Sequence, residues 1–252
     1  MQTDEILTAY DAEVRARPRP MPGLTIEHVD GVLVLTGLFN FVCCWDFAAR
    51  DADRIVRGLA ARFRASPPGL TWDVYDHDQP PDLGDLLAAA GFAVEHESTL
   101  LIMDLKAATP AGPTDVAVRR VSDHAALVDF VRVSAEAFGK SADWQFDAYA
   151  GQLGSDQDIL VNAYVDGEAA GSSRLEMTAG CRFGGLFGGA VSPRFQGLGL
   201  YRAMVAARAT EARARGASYL STGARETSRP ILERLGFTPL ARITRWVLPD
   251  GE

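Results

Sequence analysis

The chain has 252 residues and a formal net charge of −8 at pH 7, with 47% hydrophobic side chains, enough for one large or two modest cores. No run of about 18 uninterrupted apolar residues occurs, so no membrane-spanning helix is expected, and an acidic chain without a basic helix interleaved with aromatics is a poor match to nucleic acid. Cys43, Cys44 and Cys181 make an odd count with an adjacent pair, and His28, His77, His96 and His124 lack metal-ligand spacing, so buried thiols and no bound metal are expected.

The opening stretch Met1–Tyr10 is polar and acidic, unlike a signal peptide, which implies a cytoplasmic protein. Residues 1–23 read as a polar, helical lead. Leu24–Val29 and Val32–Thr36 form a hairpin across Asp30-Gly31. The apolar stretch Val32–Phe47, broken by Gly37, Asn40 and Asp46, reads as buried strand or short helix. Ala52–Ala65 carries Ile55, Leu59 and Phe63 at helical spacing, with Asp51 and Asp53 at its start. A strand at Leu70–Tyr75 and a short helix at Asp82–Ala90 follow. The helix ends in Gly91-Phe92, and a strand runs over Glu97–Leu105. His77, between Asp76 and Asp78, reads as part of a solvated acidic loop. Ala107–Pro113 is a linker by composition.

The second half begins with an alternating strand at Asp115–Val121 and an apolar-periodic helix over Ala125–Phe138. Ile159–Val165 and Ala169–Met177 are strands joined across Asp166-Gly167, and a further strand runs Phe183–Val191. The helix from Leu200 buries Leu200, Ala203, Met204 and Ala207, exposes Arg202, Arg208 and Arg213, and ends at Gly216. A strand at Ala217–Thr222, a short helix at Arg229–Leu235 and a last strand at Ala241–Leu248 complete the chain. Residues 1–110 carry 17 acidic against 9 basic side chains, whereas Val191–Arg245 carries 10 arginines against 3 glutamates. Such a local basic surface suits a phosphate-bearing ligand.

The most informative segment is Val191-Ser192-Pro193-Arg194-Phe195-Gln196-Gly197-Leu198-Gly199-Leu200-Tyr201. Proline ends the strand, and glycines at 197 and 199 let the backbone turn tightly into a helix whose first N–H groups lack partners. Such a helix start binds anions. A P-loop would need Gly-Lys-Ser/Thr, but Gly199 is followed by Leu200-Tyr201. A dinucleotide fingerprint starting at Gly197 would need glycine where Arg202 stands.

Gln196, Gly199 and the preceding Val191-Ser192-Pro193 resemble the acyl-CoA loop of the GCN5-related N-acetyltransferases (GNAT), in which Arg/Gln-x-x-Gly-x-Gly/Ala follows a Val-x-Pro strand end. Tyr201 departs from the final Gly/Ala. The order strand, helices, three antiparallel strands, helix, strand, helix, strand over residues 115–248, and the ending Leu235-Gly236-Phe237, resemble the same family. The resemblance implies an α/β (α+β) GNAT acyl-CoA transferase fold, a mixed, mostly antiparallel sheet flanked by helices. It also implies acetyl-CoA held by Ala190, Val191, Gln196, Gly197, Leu198, Gly199, Leu200, Tyr201 and Ser228, with a backbone N–H near Ala190–Val191 polarising the thioester.

The first half echoes this order: hairpin, helix, strand, helix, Gly-Phe, strand. Two readings stand: a degenerate GNAT-like domain over 24–106 that cannot bind CoA and walls one side of the acceptor cleft, or an unrelated α/β domain. On the first, the chain divides into a lead at 1–23, the degenerate domain at 24–106, a linker at 107–114 and the catalytic domain at 115–252. The strand that carries a carboxylate in many GNAT relatives offers Gly184, Gly185, Gly188 and Gly189 here. Glu176, with Arg174 on the same face, is the first substitute for the base, and Glu136 the second. The usual tyrosine acid position in the fourth helix is Leu232, and Arg225 stands where an Asn often contacts the cofactor. Tyr201 is the candidate acid. The implied activity is acetyl transfer from acetyl-CoA to a small-molecule amine, by a monomer or homodimer, without nucleic acid or membrane partners. A protein or peptide acetyltransferase and a non-catalytic acyl-CoA-binding protein are the alternatives.

Overall fold

Asp30 and Gly31 take φ of 50° and 77°, the left-handed pair that a two-residue hairpin needs to match strand twist. They join β1 (Leu24–Val29) to β2 (Val32–Gly37), paired from Leu24 with Gly37 to Val29 with Val32. The computed structural model describes residues 2–64, 68–107, 112–113, 115–139 and 141–249. Most of the expected linker at 107–114 therefore lies outside the described residues. The chain falls into two compact units, one spanning Met1–Leu101, Gly223–Pro230 and Pro239–Glu252, the other Ile102–Thr222 and Ile231–Thr238.

In the first unit the run Val32–Phe47 resolves into two strands, because Asn40 turns the chain by donating its side-chain amide to Gly69 O at 2.7 Å. β3 (Phe41–Trp45) then pairs antiparallel with β2. A short 3₁₀ turn at Ala49–Asp51 leads into α2 (Ala52–Arg64), whose Ile55, Val56, Leu59 and Phe63 are buried. β4 (Leu70–Tyr75) runs parallel to β3, and α3 (Leu83–Ala89) and β5 (Ala93–Asp104) follow. One core holds α2, Val32, Val34 and Val42 of the hairpin strands, Trp72, and Leu83 and Leu87 of α3. α1 (Gln2–Tyr10) continues into a π-helical turn at Asp11–Arg15. The acidic loop at 76–78 is not merely solvated. Asp78 bonds Arg15 at 2.8 Å, His77 Nε2 lies 2.8 Å from Asp11, and Arg15 lies over the Tyr75 ring at 4.0 Å.

The second unit starts with β6 (Ala117–Arg120) and α4 (His124–Phe138). Asp123 caps α4 by accepting from Ala126 N at 2.9 Å, and Gly139 closes it in the left-handed conformation. α5 (Asp143–Ala150) has no counterpart in the sequence reading. β7 (Asp158–Val165) and β8 (Glu168–Met177) turn at Asp166-Gly167, both with positive φ. β9 (Phe183–Val191), α6 (Leu200–Ala214), β10 (Tyr219–Ala224) and α7 (Arg229–Arg234) follow. Gly216 ends α6, with Ala217 N returning to Ala212 O at 3.0 Å. The strand order is β10-β9-β8-β7-β6, antiparallel except for β9 with β10.

One expectation for α6 fails. Arg208, expected on the exposed face, is only 1% exposed. It sits four residues after Met204 and eight after Leu200, on the buried stripe, and position outweighs charge. Its guanidinium is satisfied by main-chain carbonyls, Met204 O and Arg174 O, each at 3.1 Å, which ties α6 to β8. Burial pushes its pKa down to about 10.

The last strand, β11 (Thr238–Leu248), leaves the second half and enters the first unit. It pairs antiparallel with β4 from Ile243–Tyr75 to Leu248–Leu70, fixed by a two-pronged Arg245–Asp73 bridge at 2.7 Å, and Leu248 joins the first core. Conversely the end of β5 lies in the second unit, where Leu105 N donates to Ser218 O at 2.9 Å. The two halves thus exchange their final strands, so the compact units cross the division drawn at 107–114.

Candidate functional site

β9 is built to open. Phe187 pairs with Arg174 and Ala190 with Ser172, leaving two residues, Gly188 and Gly189, opposite Ser173 alone. Gly188 has φ 59°, so this is a bulge of the kind glycine permits in the left-handed region. On its other edge β9 pairs with β10 only over Phe183, Gly184 and Gly185. From Leu186 onward the two parallel strands diverge into a V. Ser192 N donates to Ala170 O at 2.9 Å, so the alternation of an antiparallel ladder turns the N–H and C=O of Val191 toward the open edge. These are main-chain groups that an extended ligand can bond as a third strand.

The mouth of the V leads into the loop. A 3₁₀ turn at Pro193–Phe195 is followed by Gly197 (φ 82°) and Gly199 (φ 79°) flanking Leu198. The α6 ladder begins with Ala203 N to Gly199 O at 3.0 Å, so the N–H groups of Leu200, Tyr201 and Arg202 precede it and have no helical acceptor. Alternating left-handed glycines and a helix start give a concave run of donors at the positive end of the helix dipole. Leu198 is half exposed at the tip. Gly199 also abuts Pro113, its absent Cβ falling 3.1 Å from Pro113 Cγ.

Two side chains approach the open strand from opposite faces. Tyr201, in the first turn of α6, lays its ring over Gly189: a Cβ there would fall 2.7 Å from Tyr201 Cε2. Burial pushes the phenol pKa up, so it stays protonated and can donate. Glu176 lies directly opposite Gly185, at the apex where β9 and β10 rejoin, and contacts Arg174. The Arg174 guanidinium is held over the rings of Tyr149 and Phe187 at 5.3 and 5.2 Å. The bare strand at Gly185 leaves room that a carboxylate from β8 can reach.

Glu136 lies elsewhere. It bonds Arg132 at 2.8 Å, and a hydrogen bond from Ser192, then Arg132, holds its pKa below the usual carboxylate value. Ser192 is at the mouth, seven residues along the strand from the apex at Gly185, roughly 23 Å. A weakly basic carboxylate at the mouth serves α4 and the loop better than the chemistry. Ala190 packs with Val133 of α4, leaving only its backbone for a ligand. Ser228 falls in the first unit, where its hydroxyl donates to Arg225 O at 3.2 Å, and Arg225 Nη2 lies 3.3 Å from His96 Nδ1. Leu232 is core. The sequence reading missed the bulge and Tyr149. The Gly-Gly pair at 188–189 was the available signal for the bulge. Among the described residues, no group of three His, Cys, Asp or Glu is placed to hold a metal ion.

Residues 124–237 match the Acetyltransferase (GNAT) family. No curated protein shows significant sequence similarity to the chain. Among solved structures, a GCN5-related N-acetyltransferase from Kribbella flavida is similar at 18% identity and TM-score 0.72, with 99% of this chain and 96% of that one covered. A tandem GNAT protein from the clavulanic acid biosynthesis pathway aligns at 14% identity and TM-score 0.64, covering 100% and 95%. A GCN5-related glucosamine N-acetyltransferase region in a fungal multi-domain GH3 β-N-acetylglucosaminidase aligns at 13% and TM-score 0.67, covering 98% of this chain and 37% of that one. The fold is thus that of GNAT acetyltransferases, including one built in tandem. The match over residues 124–237 falls on the segment that carries the V-shaped opening and the donor loop, and the fold around it is the GNAT fold.

Proposed function

We propose that the protein is an acetyl-CoA-dependent N-acetyltransferase that acts on a small-molecule amine by direct transfer. The observation that carries this reading is the divergence of β9 and β10 into a V whose mouth is the donor loop of residues 196–201. The N–H groups of Gly197 to Tyr201 hold the pyrophosphate, and the main chain of Val191 holds the pantetheine arm along the open edge. An arm running from mouth to apex puts the thioester beside the bulge at Gly188–Gly189, where strand N–H groups stabilise the charge that develops on the carbonyl oxygen.

Glu176 takes the proton that the attacking amine must lose. The new C–N bond forms as the C–S bond breaks, and Tyr201 gives its phenolic proton to the departing thiolate. Arg174 keeps the Glu176 carboxylate in place. A small acceptor is favoured by the crowding of the apex with Arg174, Tyr149 and Phe187. The glucosamine named for one structural neighbour places amino sugars first among compounds to try. The absence of any long apolar helix among the described residues and the three free cysteines fit a cytoplasmic enzyme. The test is a panel of amines with acetyl-CoA, following release of free CoA thiol. Turnover of a small amine supports the reading. Acetyl-CoA binding without turnover of any amine leaves a binding protein, and turnover of peptides alone moves the acceptor class.

A further inference from the structure

Among the described residues, β1 pairs with β2 alone and β6 with β7 alone. The two edges differ. β6 is four residues long and ends in Arg119 and Arg120, a short, charged edge that resists further pairing. β1 has six residues, Leu24–Val29, with no proline or lysine among them. Its carboxylate, Glu27, is turned toward α2, where it accepts from Thr36 Oγ1 and from Arg62, each at 2.7 Å. The second unit shows what such an edge receives. The strand matching β1 in the repeated order of elements is β7, and β6 lies antiparallel along it from Ala117–Tyr164 to Arg120–Val161. In the first unit the segment before β1 is helical instead, and Arg15 fastens it to Asp78 after β4.

The outer edge of β1 is self-complementary. Leu38 N donates to Gly23 O at 3.2 Å, so alternation turns the main-chain groups of Gly23, Thr25, Glu27 and Val29 toward β2 and those of Leu24, Ile26 and His28 outward. A two-fold axis normal to the sheet keeps each face with itself, so a residue can oppose only one from its own face. Two registers pair most of the strand. Centring on Glu27 sets two carboxylates opposite each other, which is destabilising, whereas centring on Ile26 sets Thr25 against the second copy's Glu27. The register centred on Ile26 also exchanges both bonds between the two Ile26 residues and lets His28 N donate to Leu24 O, while Leu24 N keeps its bond to Met21 O at 3.1 Å. Ile26, 37% exposed, then meets itself across the axis. The exposed Leu38 adds apolar surface beside the start of the strand, 3.0 Å from the Cβ position at Gly23.

We infer that β1 is a homodimer interface, joined antiparallel to β1 of a second copy of this chain about an axis at Ile26. The inference is independent of the transferase reading. The test is sedimentation of the full chain over a concentration series, with urea unfolding at low and high concentration. Wild type should pass from monomer to dimer as concentration rises, and its urea midpoint should rise with it. Ile26→Pro removes only an outward N–H, the place where an edge strand tolerates proline, and Ile26→Lys sets two ammonium groups against each other. Each should weaken the dimer at least about tenfold. Should the proline variant lose the wild-type unfolding transition, the lysine variant carries the test. Ile26→Cys should give a covalent dimer on oxidation beyond any that the native cysteines give. Opposed residues that exchange both bonds lie about 5.5 Å apart at Cα, within disulfide reach. A chain that stays monomeric, a dimer of unchanged strength in Ile26→Lys, or no covalent dimer from Ile26→Cys would each overturn the inference.

Discussion

Gly189→Ala probes the contact that places the tyrosine. The new Cβ would fall 2.7 Å from Tyr201 Cε2 and 3.5 Å from Cδ2 and Cζ. Ordinary carbon–carbon contact is about 3.5–4.0 Å, so the ring must recede by about 1 Å. The backbone at 189 is not in the left-handed region, so alanine brings no main-chain strain. Overpacking of this kind costs about 1–3 kcal/mol of stability, and a 1 Å misplacement of a reacting group lowers the rate about 10²-fold. Steady-state kcat at saturating acetyl-CoA, with urea unfolding alongside, reads both. Tyr201→Phe should lower kcat roughly 10²–10⁴-fold while keeping the ring. In that background Gly189→Ala should add little, because both changes disable one group. A Gly189→Ala enzyme of wild-type kcat, or fully additive losses, would refute Tyr201 as the proton donor.

Glu176→Gln should lower kcat by roughly 10²–10⁴-fold with acetyl-CoA affinity intact, and an unchanged rate would remove Glu176 as the base. Removal of residues 238–252 should unfold the first unit, since β4 loses the longer of its two pairings and the core loses Leu248. Leu248→Ala alone should cost about 2–5 kcal/mol in urea unfolding, and a cooperative wild-type transition in the truncated chain would refute the strand exchange. Glu136 has a folded pKa below the ordinary 4.5, so its stabilising contribution is present above that value and is lost as pH falls through the folded pKa. The urea midpoints of wild type and Glu136→Gln should therefore differ by a small amount, tenths of a kcal/mol for so exposed a group, near neutral pH and converge as acidification protonates the carboxylate. A gap that widens on acidification would contradict this.

Much of the fold was written locally. Asp30-Gly31 and Asp166-Gly167 fixed two hairpins through their left-handed turns, and Pro193 ended β9 where the sequence placed its end. α5 escaped because Asp143–Ala150 has no clear apolar stripe. The bulge at Gly188–Gly189 escaped because a glycine run was read for the side chain it lacks, and its use is to admit the Tyr201 ring. Arg208 escaped because charge was weighed above its place on the stripe of Leu200 and Met204. The strand exchange lies beyond local reading altogether. Alternation marks Ala241–Leu248 as a strand, but the pairing of Trp246 with Trp72, more than 170 positions earlier, is made only in the folded chain.

The central claim is that one acetyl-CoA binds each chain through the loop at 196–201, and calorimetric titration tests it most directly. Leu198→Glu sets a carboxylate among the donors at a half-exposed position without the left-handed backbone of Gly197 or Gly199 or the Pro113 contact at 199. Wild type should bind one equivalent of acetyl-CoA, and the variant should bind at least tenfold more weakly, a loss of about 1.4 kcal/mol or more. Two equivalents per chain, or unchanged affinity in Leu198→Glu, would contradict the account.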